Sequence, residues 1–157
     1  MSSVNFYVLS SDSVQERHLF ACKLIEKSYR SGCFCYVLTD SAEQSRIIDD
    51  LLWTFRAGSF IPHQLYAGDI PAIEHVILIG SSNPPERWQK NVINLSSQCP
   101  EDFQHIERIL EILDNSEASK AAGRQRYRRY QQAGIEPTTH KMATNLTRDS
   151  LRLGDFQ

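Results

Sequence analysis

The chain has 157 residues, a formal net charge of −2 and a hydrophobic content of 41%. This length suits one domain with one core, because single domains cluster at roughly 100 to 150 residues. The charged fraction of 23% is ordinary for a globular protein, which excludes a disordered or fibrous chain. No apolar run approaches the roughly 20 residues that span a bilayer, and the start lacks a signal-peptide pattern. We therefore expect no membrane segment and a cytoplasmic location.

The first half of the chain predicts two successive strand–helix units. Residues 4–9 form an apolar strand, and Asp12 is the expected cap of the helical pattern that follows. Residues 34–39 form a second strand, and Asp40 or Ser41 is expected to cap a second helix. Two such units in succession favour a parallel sheet. The expected fold is a single α/β domain whose mostly parallel central sheet is flanked by helices.

Apolar runs in the second half of the chain predict three short strands and one long helix. The strands are expected over residues 60–65, 75–79 and 92–95. The long helix is predicted to begin near residue 100, because apolar side chains then recur every three or four positions. These side chains are Phe103, Ile106, Ile109, Leu110 and Leu113.

A last helix is predicted from about residue 117 to residue 133, where Gly134 ends it. The residues beyond Gly134 are polar and weakly patterned, which is typical of a flexible tail. The predicted organisation is therefore a domain over residues 1–134 and a C-terminal tail over residues 135–157.

The sequence shows no pattern of an enzyme active site. The turn after the first strand, LSSDSVQE, has no glycine that would bring the backbone against a phosphate, and no P-loop lysine. The five histidines lack the spacing of metal ligands, and no GxSxG turn nominates a nucleophile. The four cysteines are expected to pack in the core as free thiols. We predict no catalytic residue, no metal site and no cofactor.

Large aromatic residues cluster near the end of the second predicted helix and in the loop after it. Trp53 and Phe60 stand out among them. One interpretation places both in the core at the edge of the sheet, because such side chains bury a large area wherever they sit. The other makes them a docking patch, because exposed aromatics are frequent hot spots of protein interfaces.

Basic residues concentrate in the last part of the chain. From Lys120 onward there are eight Lys/Arg and three Asp/Glu, whereas the preceding residues carry nine and sixteen. Helical geometry puts Lys120, Arg124 and Tyr127 on one stripe, with Arg128 at its edge. The stripe is either a solvated face or a seat for an acidic peptide with an aromatic residue or a free carboxylate. In the second case Leu113 is the expected apolar wall.

Several strings, in order over about residues 4–134, resemble one family. They are Asn5-Phe6-Tyr7-Val8-Leu9, Leu51-Leu52-Trp53, Ser59-Phe60-x-Pro62-His63-x-Leu65 and Arg124-x-Arg126-Tyr127-x-x-Tyr130. The chain is similar to the chi subunit of bacterial DNA polymerase III. The resemblance implies a non-enzymatic accessory protein of the clamp-loader complex, with a nucleotide-binding-like α/β fold that has no P-loop.

The resemblance also implies two partners. One surface of the family docks the psi subunit of the clamp loader, and the matching positions here are Trp53 and Phe60. Another surface binds the acidic, Phe-ended C-terminal tail of single-stranded DNA-binding protein. The positions that match this surface are Leu113, Lys120, Arg124, Tyr127 and Arg128. Such a protein would tether the polymerase to coated template and would meet DNA only indirectly.

Two other interpretations remain open. The first is a degenerate enzyme with a nucleotide fold, which needs a cleft with perturbed acids and bases at the strand ends. The second is direct binding of single-stranded nucleic acid through the basic helix and its tyrosines. The net charge of −2 argues against the second.

Overall fold

Seven parallel strands form the centre of the computed structural model, which describes residues 2–72 and 75–142. The strands in chain order are β1 (Ser3–Leu9), β2 (Tyr36–Leu38), β3 (His63–Leu65), β4 (Ile77–Gly80), β5 (Asn91–Asn94), β6 (Arg108–Leu113) and β7 (Thr138–Met142). Within the same residues the α-helices are α1 (Val14–Arg30), α2 (Ala42–Thr54) and α3 (Glu117–Gln132). The strands pair in the order β3-β4-β2-β5-β6-β1-β7. The predicted α/β fold with its parallel sheet is confirmed, and it is Rossmann-like.

Helices cover both faces of the sheet, so the core lies in two layers. On one face, α1 and α2 pack against the strands, and Phe20, Leu24 and Ile48 are fully buried there. On the other face, α3 contributes Tyr130 to a cluster that includes Phe6 of β1. Because the middle strands are covered on both sides, they carry apolar residues in succession instead of alternating. Burial of this apolar area is the main force that stabilises the fold.

A serine precedes each α-helix and caps its first turn. Ser13, Ser41 and Ser116 each accept a hydrogen bond from the backbone N–H three residues later, at 3.1 to 3.2 Å. Each bond satisfies one of the N–H groups that a helix start leaves without a partner. Ser41 is confirmed as the cap of α2. The prediction of Asp12 as the cap of α1 is wrong, because the helix begins at Val14 and Ser13 takes the flanking position.

The prediction of a long helix that begins near residue 100 is wrong. The structure has a single 3-10 turn at Phe103–His105, and β6 follows it. Neighbours β5 and β1 pair with both edges of β6, and the two core layers cover its faces, so residues 109–113 are all buried. A strand buried on both faces has a continuous apolar run, and such a run also contains residue pairs at helical spacing.

The prediction of a flexible tail after Gly134 is wrong for residues 138–142. These residues form β7, which pairs in parallel with β1 from Asn5 to Leu9. Gly134 itself ends α3 as predicted, and its φ of 86° lies in the left-handed region that favours glycine. The sheet therefore extends past the predicted boundary at residue 134. The rest of the predicted tail, residues 143–157, lies outside the described residues.

The cysteines are free thiols in different surroundings. Cys22 and Cys35 are buried as predicted, and Cys99 is half-buried. Cys33 is exposed in the loop before β2, so the prediction that all four pack in the core is wrong. Burial raises the pKa of Cys22 to about 12, which keeps this thiol protonated and unreactive at neutral pH.

A buried polar network joins α3 to the middle of the sheet. Glu111 of β6 has no solvent exposure, and its carboxylate accepts hydrogen bonds from Arg126 Nε at 3.1 Å and from the Tyr130 hydroxyl at 2.6 Å. Asn94 of β5 donates to the same carboxylate through Nδ2 at 3.0 Å. Burial and the neighbouring Glu111 raise the pKa of Tyr130, so its hydroxyl remains a donor. The network fixes the position of α3 over β5 and β6.

The variant Glu111→Gln is expected to lower the free energy of unfolding by about 3 kcal/mol, because the buried charge of Arg126 loses its compensating carboxylate. Urea denaturation followed by circular dichroism measures this change. Glu86→Gln removes an exposed carboxylate and is the matched control, with an expected change within about 0.5 kcal/mol. A Glu111→Gln protein as stable as the wild type would contradict the role given to this network.

Candidate binding surfaces

An apolar groove of about 200 Å³, here called the α3 groove, lies between α3 and the strands beneath it. Its lining consists of Phe6, Val8, Leu113, Lys120, Gly123, Arg124, Tyr127 and Thr139. Side chains alternate between the two faces of a strand, so Phe6 and Val8 of β1 share the face below α3. Leu113 ends β6, and Thr139 comes from β7. The groove therefore has strands as its floor and one helix as its wall.

Gly123 sets how closely α3 approaches the sheet. A Cβ at this position would overlap the methyl groups of Leu113. The missing side chain lets Leu113 lie directly against the helix, at a cost of about 1 kcal/mol in helix propensity relative to Ala. Leu113, which the sequence predicts as the apolar wall of a peptide seat, lies in the groove and is 6% exposed.

Two basic side chains line the α3 groove, and they differ in their partners. Lys120 Nζ lies 3.3 Å from Oε1 of Glu117, which is three residues earlier on α3. Arg124 is exposed and has no hydrogen-bond or ion-pair partner within residues 2–72 and 75–142. Arg128 is exposed one turn further along α3 and does not line the groove. The guanidinium of Arg124 is therefore available to bind a carboxylate in the two-pronged geometry that arginine favours.

Tyr127 links the α3 groove to the segment that leads into β7. Its ring packs against Phe6, with the ring centroids 5.5 Å apart. Its hydroxyl donates to Glu136 Oε1 at 3.3 Å and lies 3.4 Å from the carbonyl oxygen of Pro137. Desolvation and the neighbouring Glu136 raise the pKa of Tyr127, so the hydroxyl stays protonated at neutral pH. These contacts hold the ring as a fixed wall of the groove.

Sequence reasoning identified part of this groove. The predicted residues that line it are Leu113, Lys120, Arg124 and Tyr127. The lining residues that it missed are Phe6, Val8 and Thr139. The last three come from strands near opposite ends of the chain, and no local pattern reveals that β1 and β7 pair. The apolar Phe6 and Val8 give a strand signal, but that signal does not say which face lies under α3.

Exposed apolar side chains concentrate at the other edge of the sheet, near β3. Within the described residues, six large hydrophobic side chains are exposed, and four of these lie between residues 53 and 70. The four are Trp53, Phe60, Leu65 and Ile70. Trp53 is 59% exposed and Phe60 is 83% exposed, so neither belongs to the core. We call Trp53 and Phe60 the aromatic patch.

His63 of β3 holds Trp53 in place. The centroids of the two rings are 4.4 Å apart. The His63 side chain is buried, with Nδ1 2.7 Å from the Ile61 carbonyl oxygen and Nε2 3.1 Å from that of Asp49. A ring that is already positioned loses little conformational freedom when a partner covers it, which favours binding.

The loop that carries Phe60 is anchored by a buried carboxylate. Glu26 of α1 is 5% exposed, and it accepts a hydrogen bond from the Ser59 hydroxyl at 2.7 Å. Arg56 Nη2 lies 3.2 Å from the other carboxylate oxygen of Glu26. Phe60 of the aromatic patch is thus displayed by an anchored loop, whereas Trp53 is displayed by α2.

A polar crevice of about 400 Å³ lies at the carboxyl ends of β2, β4 and β5, where nucleotide-binding α/β folds hold their ligands. Asp40 and Glu101 contribute carboxylates to its lining. Among the described residues that line it, none is Lys, Arg or His. A phosphate in this crevice would meet like charge without a compensating cation.

Metal ligands, membrane-spanning helices and a buried histidine are the remaining features of functional interest. Over residues 2–72 and 75–142, no group of three or more His, Cys, Asp and Glu side chains is arranged to hold a metal ion. None of the helices in those residues has the length and apolar character needed to cross a membrane. His18 is buried, and its Nε2 lies 3.2 Å from Gln44 Nε2. Burial lowers the pKa of His18, and the nearby positive charge of Arg17 lowers it further. Its contacts are those of a structural residue.

Comparisons with known proteins agree on one family. The family model described as DNA polymerase III chi subunit, HolC, matches residues 1–138. A relative from Pseudomonas aeruginosa named DNA polymerase III subunit chi is 32% identical over 143 residues, which is 90% of this chain and 98% of the relative. A relative of the same name from Escherichia coli K12 is 23% identical over 144 residues, which is 88% of this chain and 97% of the relative.

A solved structure shares the fold at low sequence identity. The crystal structure of T4 UvsW matches with a TM-score of 0.62 and 10% identity, over 90% of this chain and 42% of that chain. This likeness concerns the fold alone. Since the family model spans most of the chain and the Pseudomonas aeruginosa relative is 32% identical along nearly its whole length, the chain belongs to the DNA polymerase III chi subunit family of replication proteins.

Proposed function

We propose that the protein is a non-catalytic tether in the DNA polymerase III holoenzyme. The α3 groove binds the acidic, Phe-ended tail of single-stranded DNA-binding protein, and the aromatic patch docks the psi subunit of the clamp loader. The observation that carries the proposal is the α3 groove, where an apolar floor lies beside Arg124, a cation with no partner among the described residues. The free thiols suit the reducing cytoplasm, where we place this function.

The shape of the α3 groove favours a peptide that inserts one large apolar side chain. Phe6, Val8 and Leu113 offer apolar surface below, and Tyr127 forms a fixed wall beside it. Leu113 occupies the space that a side chain at position 123 would take, so its methyl groups form part of the groove. Full burial of a phenylalanine side chain is worth roughly 1.5 to 3 kcal/mol, which is enough to anchor a short peptide weakly.

The charges around the groove favour an acidic peptide. Arg124 and Lys120 line the groove, and the exposed Arg128 extends the basic surface along α3. A hydrogen bond between a guanidinium and a carboxylate contributes about 1.5 to 3 kcal/mol, and the surrounding exposed cations add attraction that salt screens. Affinity should therefore fall as ionic strength rises.

The aromatic patch supports the second contact. Trp53 and Phe60 are exposed on elements that His63 and Glu26 hold in place. Exposed, positioned aromatics are the kind of residue that dominates the energy of protein interfaces. In this proposal they insert into psi, which connects the protein to the clamp loader.

The two surfaces lie at opposite edges of the sheet, since β7 borders the α3 groove and β3 supports the aromatic patch. Both partners therefore have room to bind at once. Two weak contacts joined through one small protein raise the local concentration of each partner near the other. The polymerase complex is thereby held close to template coated with single-stranded DNA-binding protein.

The competing interpretations have less support. A nucleotide enzyme would place its ligand in the carboxyl-end crevice, whose lining carries Asp40 and Glu101 without a basic side chain among the described residues. Direct binding of single-stranded nucleic acid through α3 requires aromatic rings that bases can stack on. Of the two tyrosines on α3, Tyr130 is fully buried, and Tyr127 alone does not provide a stacking platform for successive bases.

The variant Arg124→Ala is expected to weaken binding of a synthetic acidic peptide ending in phenylalanine by at least about tenfold, because a charge-assisted hydrogen bond is lost. Isothermal titration calorimetry at low and moderate salt measures this. Arg46→Ala, an exposed arginine of α2, is the control and should bind as the wild type does. Equal affinity of Arg124→Ala and wild type, with both folded, would remove the peptide seat from α3.

The variant Trp53→Ala is expected to weaken psi docking by at least about tenfold while it lowers the free energy of unfolding by less than about 1 kcal/mol, because the side chain is mostly exposed. Pull-down with purified psi and thermal denaturation give the two readouts. Val14→Ala truncates a side chain of α1 with the same 59% exposure and should leave psi docking unchanged. Full psi binding by Trp53→Ala would show that the aromatic patch has another purpose.

A further inference from the structure

A third cavity lies at the amino ends of β2, β5 and β6, at the opposite end of the strands from the carboxyl-end crevice. Its volume is about 360 Å³, which falls within the range of roughly 300 to 1,000 Å³ typical of small-molecule sites. Its lining includes Cys33, Phe34, Lys90, Asn91, Glu107 and Arg108. We call it the amino-end cavity. Neither the α3 groove nor the aromatic patch shares a residue with it.

The charges of the amino-end cavity favour an anionic group. Lys90 and Arg108 line it together with one carboxylate, that of Glu107. Lys90 and Glu107 are exposed at the mouth, and Arg108 is half-buried. The lining therefore carries a net charge of +1, whereas the lining of the carboxyl-end crevice carries two carboxylates and no basic side chain among the described residues. Phosphate and carboxylate groups are the anions that Lys and Arg bind best.

Two further lining residues, Asn91 and Phe34, favour a ligand that carries more than an anionic group. Asn91 is 5% exposed, and its Nδ2 donates to the Ser28 hydroxyl at 2.8 Å. Its Oδ1 finds no hydrogen-bond partner among the described residues, and a buried acceptor without a donor costs stability. Asn91 lines the cavity, so an occupant whose N–H group reaches this amide would satisfy Oδ1.

Phe34 is the aromatic residue that lines the amino-end cavity. Its ring meets His75 at an interplanar angle of 80° and Trp88 at 70°, so neither neighbour stacks flat against it. A planar heterocycle that enters the cavity has an aromatic ring to pack on, an arrangement worth about as much as other base–aromatic stacking. A simple anion would leave both this ring and Asn91 unused.

We propose that the amino-end cavity binds a nucleoside phosphate, with the base against Phe34, a base N–H group donating to Asn91 Oδ1, and the phosphate held by Lys90 and Arg108. This site would add a direct contact with nucleotides to a protein whose proposed function involves only protein partners. The inference stands independently of that proposed function, because no residue of the α3 groove or the aromatic patch takes part.

The test is a titration of the full-length, ¹⁵N-labelled protein with deoxyadenosine monophosphate, followed by NMR. Saturable shifts centred on the amides of Cys33 and Asn91 are expected, and inorganic phosphate alone should produce much weaker ones. A parallel titration with a short oligodeoxyadenylate separates the two sources of the ligand. Tighter binding of the oligonucleotide would identify a unit of single-stranded DNA, and preference for the mononucleotide would identify a free nucleotide; both support the site.

The variant Lys90→Glu is expected to weaken nucleotide binding by at least about tenfold. Arg46→Glu makes the same charge change on the exposed face of α2 and should bind the nucleotide within about twofold of the wild type. The proposal would be overturned if Lys90→Glu bound the nucleotide as tightly as the wild type does. It would also be overturned if inorganic phosphate produced shifts equal to those of the nucleotide, or if the shifts were centred on α3. So would displacement of the nucleotide by an acidic peptide that produces the same shifts at Cys33 and Asn91.

Discussion

The close packing of α3 on the sheet is the constraint on which the rest of this structure depends. Gly123 lets the helix approach Leu113, and the buried carboxylate of Glu111 ties Arg126 and Tyr130 of the helix to β6. The Arg126–Glu111 ion pair is shielded from water, so it offsets the cost of desolvation only when its geometry is good. Removal of either partner would leave an uncompensated charge in the core. One face of α3 therefore packs against the sheet. The adjacent stripe, with Arg124 on it, is left to border a groove whose floor is made by strands.

This arrangement explains how a fold typical of nucleotide-binding proteins serves a family of replication subunits. The crevice at the carboxyl ends is lined by carboxylates and hydroxyl groups, while the basic and apolar surfaces lie at the two edges of the sheet. Position in the sheet separates the two proposed contacts, because β3 and β7 are its outermost strands. The parallel sheet sets the distance between the α3 groove and the aromatic patch, which suits the proposed role as a tether.

Much of this could be predicted from local sequence, and the failures have physical causes. The two strand–helix units, the end of α3 at Gly134 and the basic stripe of α3 depend on short-range patterns, and the structure confirms them. The sequence of β6 predicts a helix because a strand covered on both faces lacks the apolar–polar alternation that identifies strands. β7 is polar and lies at the edge of the sheet, so its sequence alone resembles that of a loop. Its strand conformation depends on pairing with β1, which is distant in sequence. The groove floor depends on that long-range pairing, and the buried role of Glu111 depends on Arg126 meeting it across the core.

The proposed function requires that two separate surfaces hold two partners at once. Titration calorimetry of an acidic peptide ending in phenylalanine, into the protein alone and into its complex with saturating psi subunit, tests this directly. We expect the two dissociation constants to agree within about twofold, since opposite edges of the sheet leave both surfaces open. A peptide affinity that falls tenfold or more when psi is bound would contradict it, because the two partners would then compete for one surface.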